Sequence, residues 1–293
     1  MEKDNHGILY RFLKKALFII SGISPVLATR LIYFYHCKKI LHLKNPKSFN
    51  EKINYIKLYI NKQNELITQC ADKIEVRKYV ASKQLEDILI NVIGIYDNID
   101  EIDWKTLPSK FVIKCNHGSG FNIICHDKEK YNENEIKSQL KKWLLIDYGR
   151  YTSEIHYCKI KPRIIIEEDI AGIEGNLLDY KIFCFEGKAK YIEVVTGREK
   201  EEVFYEYYDL NWNKCNFTKN KYLSKNILSK PNNLGEMIKI AEKLSSEFKF
   251  VRVDLYNVNN KIYFGELTFT PSGGCCTKFT DEGEIILGDC IKL

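Results

Sequence analysis

The sequence predicts an α+β fold with mixed sheets, and three observations support this prediction. The chain has 293 residues, 45% hydrophobic and 29% charged, so it is long enough to bury a core without disulfides or metals. Short β-like runs alternate with amphipathic helical stretches along most of the sequence. No repeat, low-complexity tract or obvious linker interrupts them. The composition excludes a disordered tail, a collagen-like repeat and a membrane bundle.

The first apolar segment, residues 16–29, is broken by Pro25. Its fourteen residues are fewer than the roughly twenty that a membrane-spanning helix needs. Residues 1–45 have three interpretations: cytosolic helices, a helix within 8–35 that lies on the membrane surface, or a cleaved signal peptide. Basic and apolar residues mix in the pattern of an interfacial helix at Leu9, Arg11, Phe12, Leu13, Lys14, Lys15, Leu17 and Phe18. We expect a cytoplasmic protein, with contact at the inner face of the membrane as the second interpretation.

Residues 46–83 follow a helical pattern. Ser48 and Glu51 form the signature of a capping box, after which apolar residues recur at helical spacing. Two more helices are predicted at 133–145 and 234–248. Nine strands are predicted, at 89–96, 111–115, 122–125, 163–167, 180–185, 190–195, 203–209, 250–256 and 261–270. The last two strands form a hairpin through the sequence Asn-Val-Asn-Asn at 257–260.

The charge limits which partners the protein is expected to bind, and the cysteine content indicates the redox state of its cellular compartment. Lys and Arg outnumber Asp and Glu by 45 to 39, an excess too small to indicate nucleic-acid binding. The ten cysteines lie mostly in apolar runs, without a Cys-x-x-Cys motif or a Cys/His cluster at metal spacing. We therefore expect reduced thiols in a reducing cytosol; a disulfide frame is the less favoured alternative.

The first candidate site is the loop that follows the predicted strand 111–115. Lys114 lies near the end of that strand, and residues 116–120, Asn-His-Gly-Ser-Gly, lead to the next one. Glycines let a backbone approach phosphates closely, and a lysine supplies a point charge to phosphate oxygens. The segment is not a Walker loop, because no Gly-Lys-Ser/Thr opens a helix. An ordinary hairpin turn beside a solvated lysine is the alternative, and His117 is either a general base or a polar contact.

Two further strands bring acids and a lysine together. The strand 163–167 runs into three acids at 167–169, which form either an acidic turn or a connector that offers polar groups to a purine and a ribose. Asp179 and Lys181 share one face of the next strand. Either the two side chains form a surface ion pair that stabilises the protein little, or Lys181 is positioned to bind a phosphate.

The last predicted hairpin carries the most informative pattern. Arg252 and Asp254 share a face of one strand, and Glu266 and Thr268 share a face of its partner. Neighbouring strands lie about 4.8 Å apart, so Asp254 and Glu266 can point toward one cation. Two carboxylates together with nucleotide phosphates suit Mg²⁺. The alternative is an Arg252–Glu266 ion pair with Asp254 solvated. A small-residue loop, Pro-Ser-Gly-Gly at 271–274, follows and is suited to cover a substrate.

In this order, the segments resemble the ATP-grasp superfamily, and more narrowly the TupA-like ATP-grasp proteins associated with teichuronopeptide and bacterial surface-polysaccharide synthesis. The resemblance covers about residues 45–274. It rests on residues 45–53 (Asn-Pro-Lys-Ser-Phe-Asn-Glu-Lys-Ile), on Asp72-Lys73 with Arg77, and on 111–120, 179–181 and 265–269. It implies two α+β subdomains that clasp ATP, at 111–170 and 171–293, after a helical segment at 1–45 and an α/β region at 46–110.

The resemblance also implies roles for individual residues. ATP would contact Lys73, Arg77, Lys114, His117, Gly118, Ser119, Gly120, Glu167, Glu168, Asp169, Ile170, Asp179 and Lys181. Mg²⁺ would be bound by Asp254 and Glu266, with Thr268 where many ATP-grasp enzymes place an asparagine ligand. Arg252, Lys181 and Arg198 are the predicted catalytic residues, and Arg252 would face the reacting carboxylate. The substrate would also meet Pro271, Ser272, Gly273 and Gly274.

The implied activity is a Mg·ATP-dependent carboxylate–amine ligase that works through an acyl phosphate. Its partners would be ATP, a uronic-acid-type carboxylate of a surface glycan or its precursor, and an amino acid or other amine. Two alternatives are open: a glycosyltransferase or sugar kinase of the same pathway, and a non-catalytic nucleotide-binding protein. A kinase would need no amine, and a glycosyltransferase would consume a nucleotide sugar, for which the chain lacks a convincing Asp-x-Asp motif.

Overall fold

The computed structural model describes residues 8–171, 178–197, 202–224 and 228–293. In these ranges the helices are α1 (Ile8–Ile23), α2 (Pro25–Cys37), α3 (Phe49–Tyr55), α4 (Glu65–Ala71), α5 (Val76–Ser82), α6 (Glu133–Leu144), α7 (Tyr148–Thr152), α8 (Leu234–Ser245) and α9 (Asp281–Asp289). The strands are β1 (Val92–Tyr96), β2 (Phe111–Cys115), β3 (Asn122–Cys125), β4 (Ile164–Glu168), β5 (Asp179–Phe185), β6 (Lys188–Thr196), β7 (Phe204–Asp209), β8 (Lys214–Cys215), β9 (Phe250–Val258) and β10 (Lys261–Thr268).

The strands form two antiparallel sheets. The small sheet has the order β1-β4-β2-β3, and the large sheet has the order β10-β9-β5-β6-β7-β8. Antiparallel sheets can leave part of one face uncovered by helices, and here that part is available for a site. The predicted α+β class and all nine predicted strands are confirmed, with ends shifted by up to three residues.

The large sheet is covered by helices on both faces, but one face only in part. Tyr180, Ile182 and Cys184 of β5 join a core with α4, α5 and α8. On the opposite face of β5, Phe183 and Phe185 pack under α3 and α9. That same face begins with Asp179 and Lys181, so the strand changes from charged to aromatic along one row of side chains. The small sheet packs on α6 in a separate core.

The helical stretch at 46–83 is less regular than predicted. The capping box at Ser48 and Glu51 is confirmed, and α3 begins directly after it. A π-helical turn at Ile56–Ile60 and a 3-10 turn at Asn61–Gln63 then separate α3 from α4. The π turn buries Lys57, which is only 1% exposed.

The N-terminal segment forms a helical hairpin. Ser24 caps α2 by accepting a hydrogen bond from the Leu27 amide, and Pro25 takes the first position of the helix. This break separates α1 from α2. No helix in the described parts of the chain is both long and apolar enough to cross a membrane.

The cysteines and the last hairpin complete the comparison with the sequence. All ten cysteines are free thiols, and Cys70, Cys115, Cys125, Cys184 and Cys276 are buried. The β9–β10 turn is shorter than the four residues expected, because strand pairing continues to Val258 and Lys261. Asn259 and Asn260 make the turn with φ values of 52° and 60°, as a two-residue hairpin requires.

Candidate functional site

Both sheets contribute to a polar cavity of about 350 Å³. Six basic and five acidic side chains line it: Lys73, Arg77, Lys114, Lys181, Arg252, Lys278, Glu167, Asp179, Glu193, Asp254 and Glu266. The near balance of charge explains how so many ionised groups can be brought together away from bulk water.

The large sheet places three charged side chains on adjacent strands. Lys181 lies opposite Asp254 in the β5–β9 register and contacts its carboxylate, while its Nζ atom is 2.8 Å from Asp179 Oδ2. Arg252 donates from Nε and Nη2 to the two oxygens of Asp254, both at 2.7 Å. Asp254 is 2% exposed, which contradicts the solvated Asp254 of the alternative, whereas the Arg252–Glu266 ion pair of that alternative is present at 3.5 Å. Burial acts to lower the pKa of Arg252, but the charge and hydrogen bonds of Asp254 raise it above its usual value.

A bulge in the last hairpin sets the position of Glu266. The register shifts between Phe264 and Glu266, which brings Glu266 opposite Asp254. Gly265 permits this shift, because a Cβ atom there would lie 2.9 Å from the Asp254 carbonyl oxygen. Thr268 Oγ1 donates to Glu266 at 2.8 Å and accepts from Arg252 at 3.1 Å.

Glu266 is ionised although it lies among buried groups. Its side chain is 40% exposed because it lines the cavity. Burial acts to raise its pKa, but the charges of Lys73, Lys181 and Arg252 lower the pKa to about 2.

A fourth acid on this wall was not predicted from the sequence. Glu193 of β6 lies opposite Lys181 and accepts a hydrogen bond from the Tyr207 hydroxyl at 2.8 Å. Lys278 approaches Glu193 at 3.6 Å and lies 3.1 Å from the ring centre of Tyr205. Burial acts to raise the pKa of Glu193, but Lys278, Arg252 and Lys181 lower it. The available signal was the single acid Glu193 within the otherwise apolar run 191–195 of β6.

The small-sheet wall presents Lys114 and Arg77. Lys114 Nζ is 2.7 Å from Glu167 Oε2, and Arg77 Nη1 is 3.3 Å from Glu167 Oε1. Glu167 is 7% exposed and therefore bridges the two cations within the wall. Burial lowers the pKa of Arg77.

The glycine-rich loop is held by contacts at Asn116 and Gly118 and faces open space at Gly120. Asn116 donates to Asp72 Oδ2 at 2.9 Å, and Lys73 Nζ donates to the carbonyl oxygen of Gly118. A Cβ atom at Gly118 would clash with Phe121 and Tyr148 at 2.7 and 2.8 Å. Gly120 has a φ of 77° and nothing within 4 Å of a Cβ position, so its backbone faces open space.

Five of the predicted nucleotide contacts, His117, Gly118, Glu168, Asp169 and Ile170, do not line this cavity. The ring of His117 is 3% exposed, its Nε2 atom is 3.1 Å from the Trp143 carbonyl oxygen, and burial lowers its pKa. Glu168 accepts from Asn91 at 3.0 Å, and Asp169 lies 2.9 Å from His126. Ile170 packs with Ile90 and Val258. Four of the five flank the cavity, and the fifth, Gly118, is the loop glycine that supports it from beneath.

The predicted substrate loop is held by α3 and by the π turn that follows it. Pro271–Gly274 forms a 3-10 turn in which Ser272, Gly273 and Gly274 have left-handed φ values of 51°, 63° and 78°. Asn54 donates to the Gly274 carbonyl oxygen at 2.7 Å, and Lys57 donates to that of Gly273 at 3.1 Å. Asn54 and Lys57 therefore hold a loop more than 200 residues away, which was not predicted from the sequence, and Asn50 of the segment 45–53 donates to the Cys276 carbonyl oxygen just beyond that loop.

The acidic groups fit a Mg²⁺ ion only in part. Glu266 offers a cavity-facing carboxylate, and Asp254 lies on the adjacent strand in register with it. Both oxygens of Asp254, however, accept hydrogen bonds from Arg252, and one of them also contacts Lys181. Across the described ranges, no three His, Cys, Asp or Glu side chains are grouped as a metal site. The two bonds to Oδ2 and the one to Oδ1 leave Asp254 one acceptor position, on Oδ1, for a metal ion.

The family match covers most of the chain. The family model described as TupA-like ATPgrasp matches residues 51–292. The chain belongs to the TupA-like ATP-grasp family. A comparison with curated proteins found no match.

In the comparison with solved structures, 176 chains match this TupA-like protein. The three described here are similar to it at low sequence identity. A D-alanine–D-alanine ligase from Bacillus anthracis is 16% identical over 94% of this chain and 88% of that one, with a TM-score of 0.47. The same ligase complexed with ATP is 14% identical over 95% and 91%, with a TM-score of 0.44. A biotin carboxylase complex from Campylobacter jejuni is 13% identical over 84% and 53%, with a TM-score of 0.42. The family match therefore carries the assignment of the ATP-grasp fold.

The structure brings most of the residues predicted for this family into one place. Lys73, Arg77, Lys114, Ser119, Gly120, Glu167, Asp179, Lys181, Arg252, Asp254 and Glu266 all line the polar cavity. Thr268 touches the cavity residues Arg252 and Glu266. Arg198 lies outside the described residues.

Proposed function

We propose that the protein is a Mg·ATP-dependent carboxylate–amine ligase. The observation that carries the proposal is the cavity in which Lys73, Lys114, Lys181 and Arg252 are gathered beside Asp254 and Glu266. Phosphoryl transfer depends mainly on positioning and on cations that stabilise the spreading negative charge. Membership of the ATP-grasp family supports the same chemistry.

In the proposed complex, the nucleotide lies between the small and large sheets. Lys73, Lys114 and the 118–120 loop bind the phosphates, and the main chain after Glu168 meets the adenine. Lys181 adds a second phosphate contact from the large sheet. Glu266 and Asp254 bind Mg²⁺, which neutralises phosphate charge. When phosphates approach, Lys114 and Lys181 exchange their present carboxylate partners for phosphate oxygens.

The proposed reaction has two steps. An oxygen of the substrate carboxylate attacks the γ-phosphorus, and the bond to the ADP oxygen breaks. The nitrogen of the amine then attacks the acyl carbon, loses a proton, and displaces phosphate to leave an amide. Arg252 holds the carboxylate in the first step and offsets the negative charge that develops on the acyl oxygen in the second. Closure of the loop 118–120 over the cavity would keep water from the acyl phosphate.

The substrate class comes from the association of the family with surface polysaccharides. We propose a uronic-acid-type carboxylate of a glycan or its precursor, and an amino acid or other amine as its partner. We also propose a cytoplasmic location, with residues 8–35 in contact with the inner face of the membrane.

The proposal is tested by the products of a substrate panel. Uronic acids and amino acids are incubated pairwise with ATP and Mg²⁺, and products are identified by mass spectrometry. A ligase releases ADP and phosphate and gains the mass of an amide only when both acceptors are present. ADP with a phosphorylated sugar in the absence of any amine would instead indicate a kinase. Consumption of a nucleotide sugar would indicate a glycosyltransferase.

A further inference from the structure

A second cavity adjoins the polar one at the proposed reaction centre. It has a volume of about 780 Å³ and shares Ser119, Arg252 and Glu266 with the polar cavity. Helices α1 and α2 form its outer wall, which is mainly apolar and includes Leu13, Leu17, Ile20, Leu31, Ile32 and Phe34. Its size and apolar lining are typical of a small-molecule site. The ATP and Mg²⁺ roles proposed above make no use of this space.

The wall is anchored to the rest of the protein by specific contacts. Ser21 and Ser153 are joined by a hydrogen bond of 3.2 Å between their hydroxyl oxygens. Arg150 stacks 4.2 Å from the ring centre of Phe18. A Cβ atom at Gly22 would lie 2.0 Å from Arg150, so glycine permits this close packing. The α1–α2 hairpin is therefore a built part of the cavity.

The outer side of the same hairpin is also apolar. Phe12 is 70% exposed, and Ile23 is 82% exposed. Phe34 lines the cavity and is itself 58% exposed, so the cavity reaches an apolar surface. Exposed apolar side chains beside an apolar cavity are typical of a site for an apolar partner.

The charge of this segment indicates an anionic partner. Residues 5–50 contain eight Lys and Arg residues and no Asp or Glu, whereas the whole chain has a net charge of +6. The excess positive charge of the protein is therefore concentrated in this segment. Lys14 and Lys38 line the second cavity beside its apolar side chains. An apolar chain with an anionic group matches both features.

We propose that the carboxylate-bearing saccharide is carried on a long hydrocarbon chain through a phosphate linkage, and that this chain lies in the second cavity. The saccharide end would then lie at Arg252, where the two cavities meet. The inference rests on the proposed function for the identity of the reacting end. Binding of the chain itself requires no turnover and is measured separately.

The test is a calorimetric titration of the full chain without nucleotide. The ligands are dodecyl phosphate, kept below its micelle-forming concentration, and butyl phosphate, which has the same anionic group. We expect dodecyl phosphate to bind at least about tenfold more tightly, because additional methylene groups are buried. Equal affinities would overturn the proposal.

Two neighbouring isoleucines provide a matched pair of variants. Ile20 lines the cavity, whereas Ile19 does not line it and is 58% exposed. Ile20→Gln is expected to weaken dodecyl phosphate binding by at least about fivefold, and Ile19→Gln to leave it within about twofold. Circular dichroism shows whether each variant keeps its helices. Equal losses in the two variants would overturn the cavity as the binding place.

Vesicles separate this proposal from a simple membrane anchor. Phosphatidylglycerol vesicles are added to the protein and to both variants. Binding of vesicles without binding of monomeric dodecyl phosphate would make the hairpin a surface anchor and overturn the proposal. If dodecyl phosphate binds as expected but no acceptor pair yields ADP, the ligase function fails, whereas binding of the hydrocarbon chain in the second cavity stands. If acceptor pairs yield ADP without any chain-length preference in binding, this inference alone fails.

Discussion

The two walls of the polar cavity hold their charges in different ways. On the large sheet, Lys181, Arg252 and Asp254 project from paired strands, and each side chain is at most 12% exposed. On the small-sheet wall, Lys73 and the glycine-rich loop belong to connecting segments, whereas Lys114 projects from β2 and is 19% exposed. Strand pairing fixes positions, whereas loops permit adjustment. We infer that the large sheet fixes the proposed reacting groups and that the connecting segments of the small-sheet wall adjust to the proposed nucleotide.

The strongest test of this comparison removes the carboxylates of the large sheet. The double variant Asp254→Asn, Glu266→Gln should lower turnover by at least about 10³-fold, because metal-assisted charge stabilisation contributes several kcal/mol. The rate of ADP formation is measured over a range of Mg²⁺ concentrations. Glu247→Gln, which changes an acid paired with Lys83 outside the cavity, is the control. Intact turnover in the double variant would mean that the metal assignment is wrong.

Arg252→Lys tests whether the fixed geometry matters beyond the charge. Lysine keeps the positive charge but cannot form both hydrogen bonds to Asp254. We expect kcat to fall about 10²-fold, as when one donor to a developing charge is removed, with ATP affinity nearly unchanged. Steady-state kinetics and nucleotide titration measure the two quantities. A loss confined to ATP affinity would move Arg252 from the reaction to nucleotide binding.

Lys114→Ala tests the small-sheet wall and should have a smaller effect than the two changes above. Loss of one charge-assisted hydrogen bond of about 1.5–3 kcal/mol should weaken Mg·ATP binding by roughly 10- to 100-fold, with kcat less affected. Lys110→Ala is the matched control, because Lys110 is exposed and does not line the cavity. Adding Lys181→Ala should weaken binding further. Unchanged affinity in the Lys114→Ala, Lys181→Ala variant would contradict the assignment of both lysines to phosphates.

Local pattern was sufficient to predict much of the fold and the placement of the main acids on neighbouring strands. The period of two placed Arg252 and Asp254 on one face and Glu266 on the partner strand, but the direct pairing of Glu266 with Asp254 depends on the bulge at Gly265, which was not predicted. Alternation along a strand is decided by backbone geometry, so it can be read without knowing the tertiary structure. The same reasoning located Lys181 beside Asp179.

The missed features depend on contacts between distant parts of the chain. Glu193 reaches the cavity because β6 pairs with β5, and Lys278 meets it from the far end of the sequence. The support of the loop 271–274 by Asn54 and Lys57 follows from packing of the α3 region against it. Such placements are set by tertiary packing, which local periodicity does not encode.

The smallest expected effect is the pH dependence of the stability that Glu266 provides. This side chain lies where the two walls meet. Its pKa is lowered from 4.5 to about 2 by Lys73 on the small-sheet wall and by Lys181 and Arg252 on the large sheet. A depressed pKa contributes stability that is present above 4.5 and is lost as the pH falls toward 2. The stability difference between the protein and Glu266→Gln should therefore stay constant from about pH 8 to 5 and shrink below 4.5. Denaturant unfolding at each pH measures it. If the stability of the protein relative to Glu266→Gln instead rises as the pH falls from about 7 to 5, the pKa of this carboxylate is raised, and the two walls do not jointly hold it ionised.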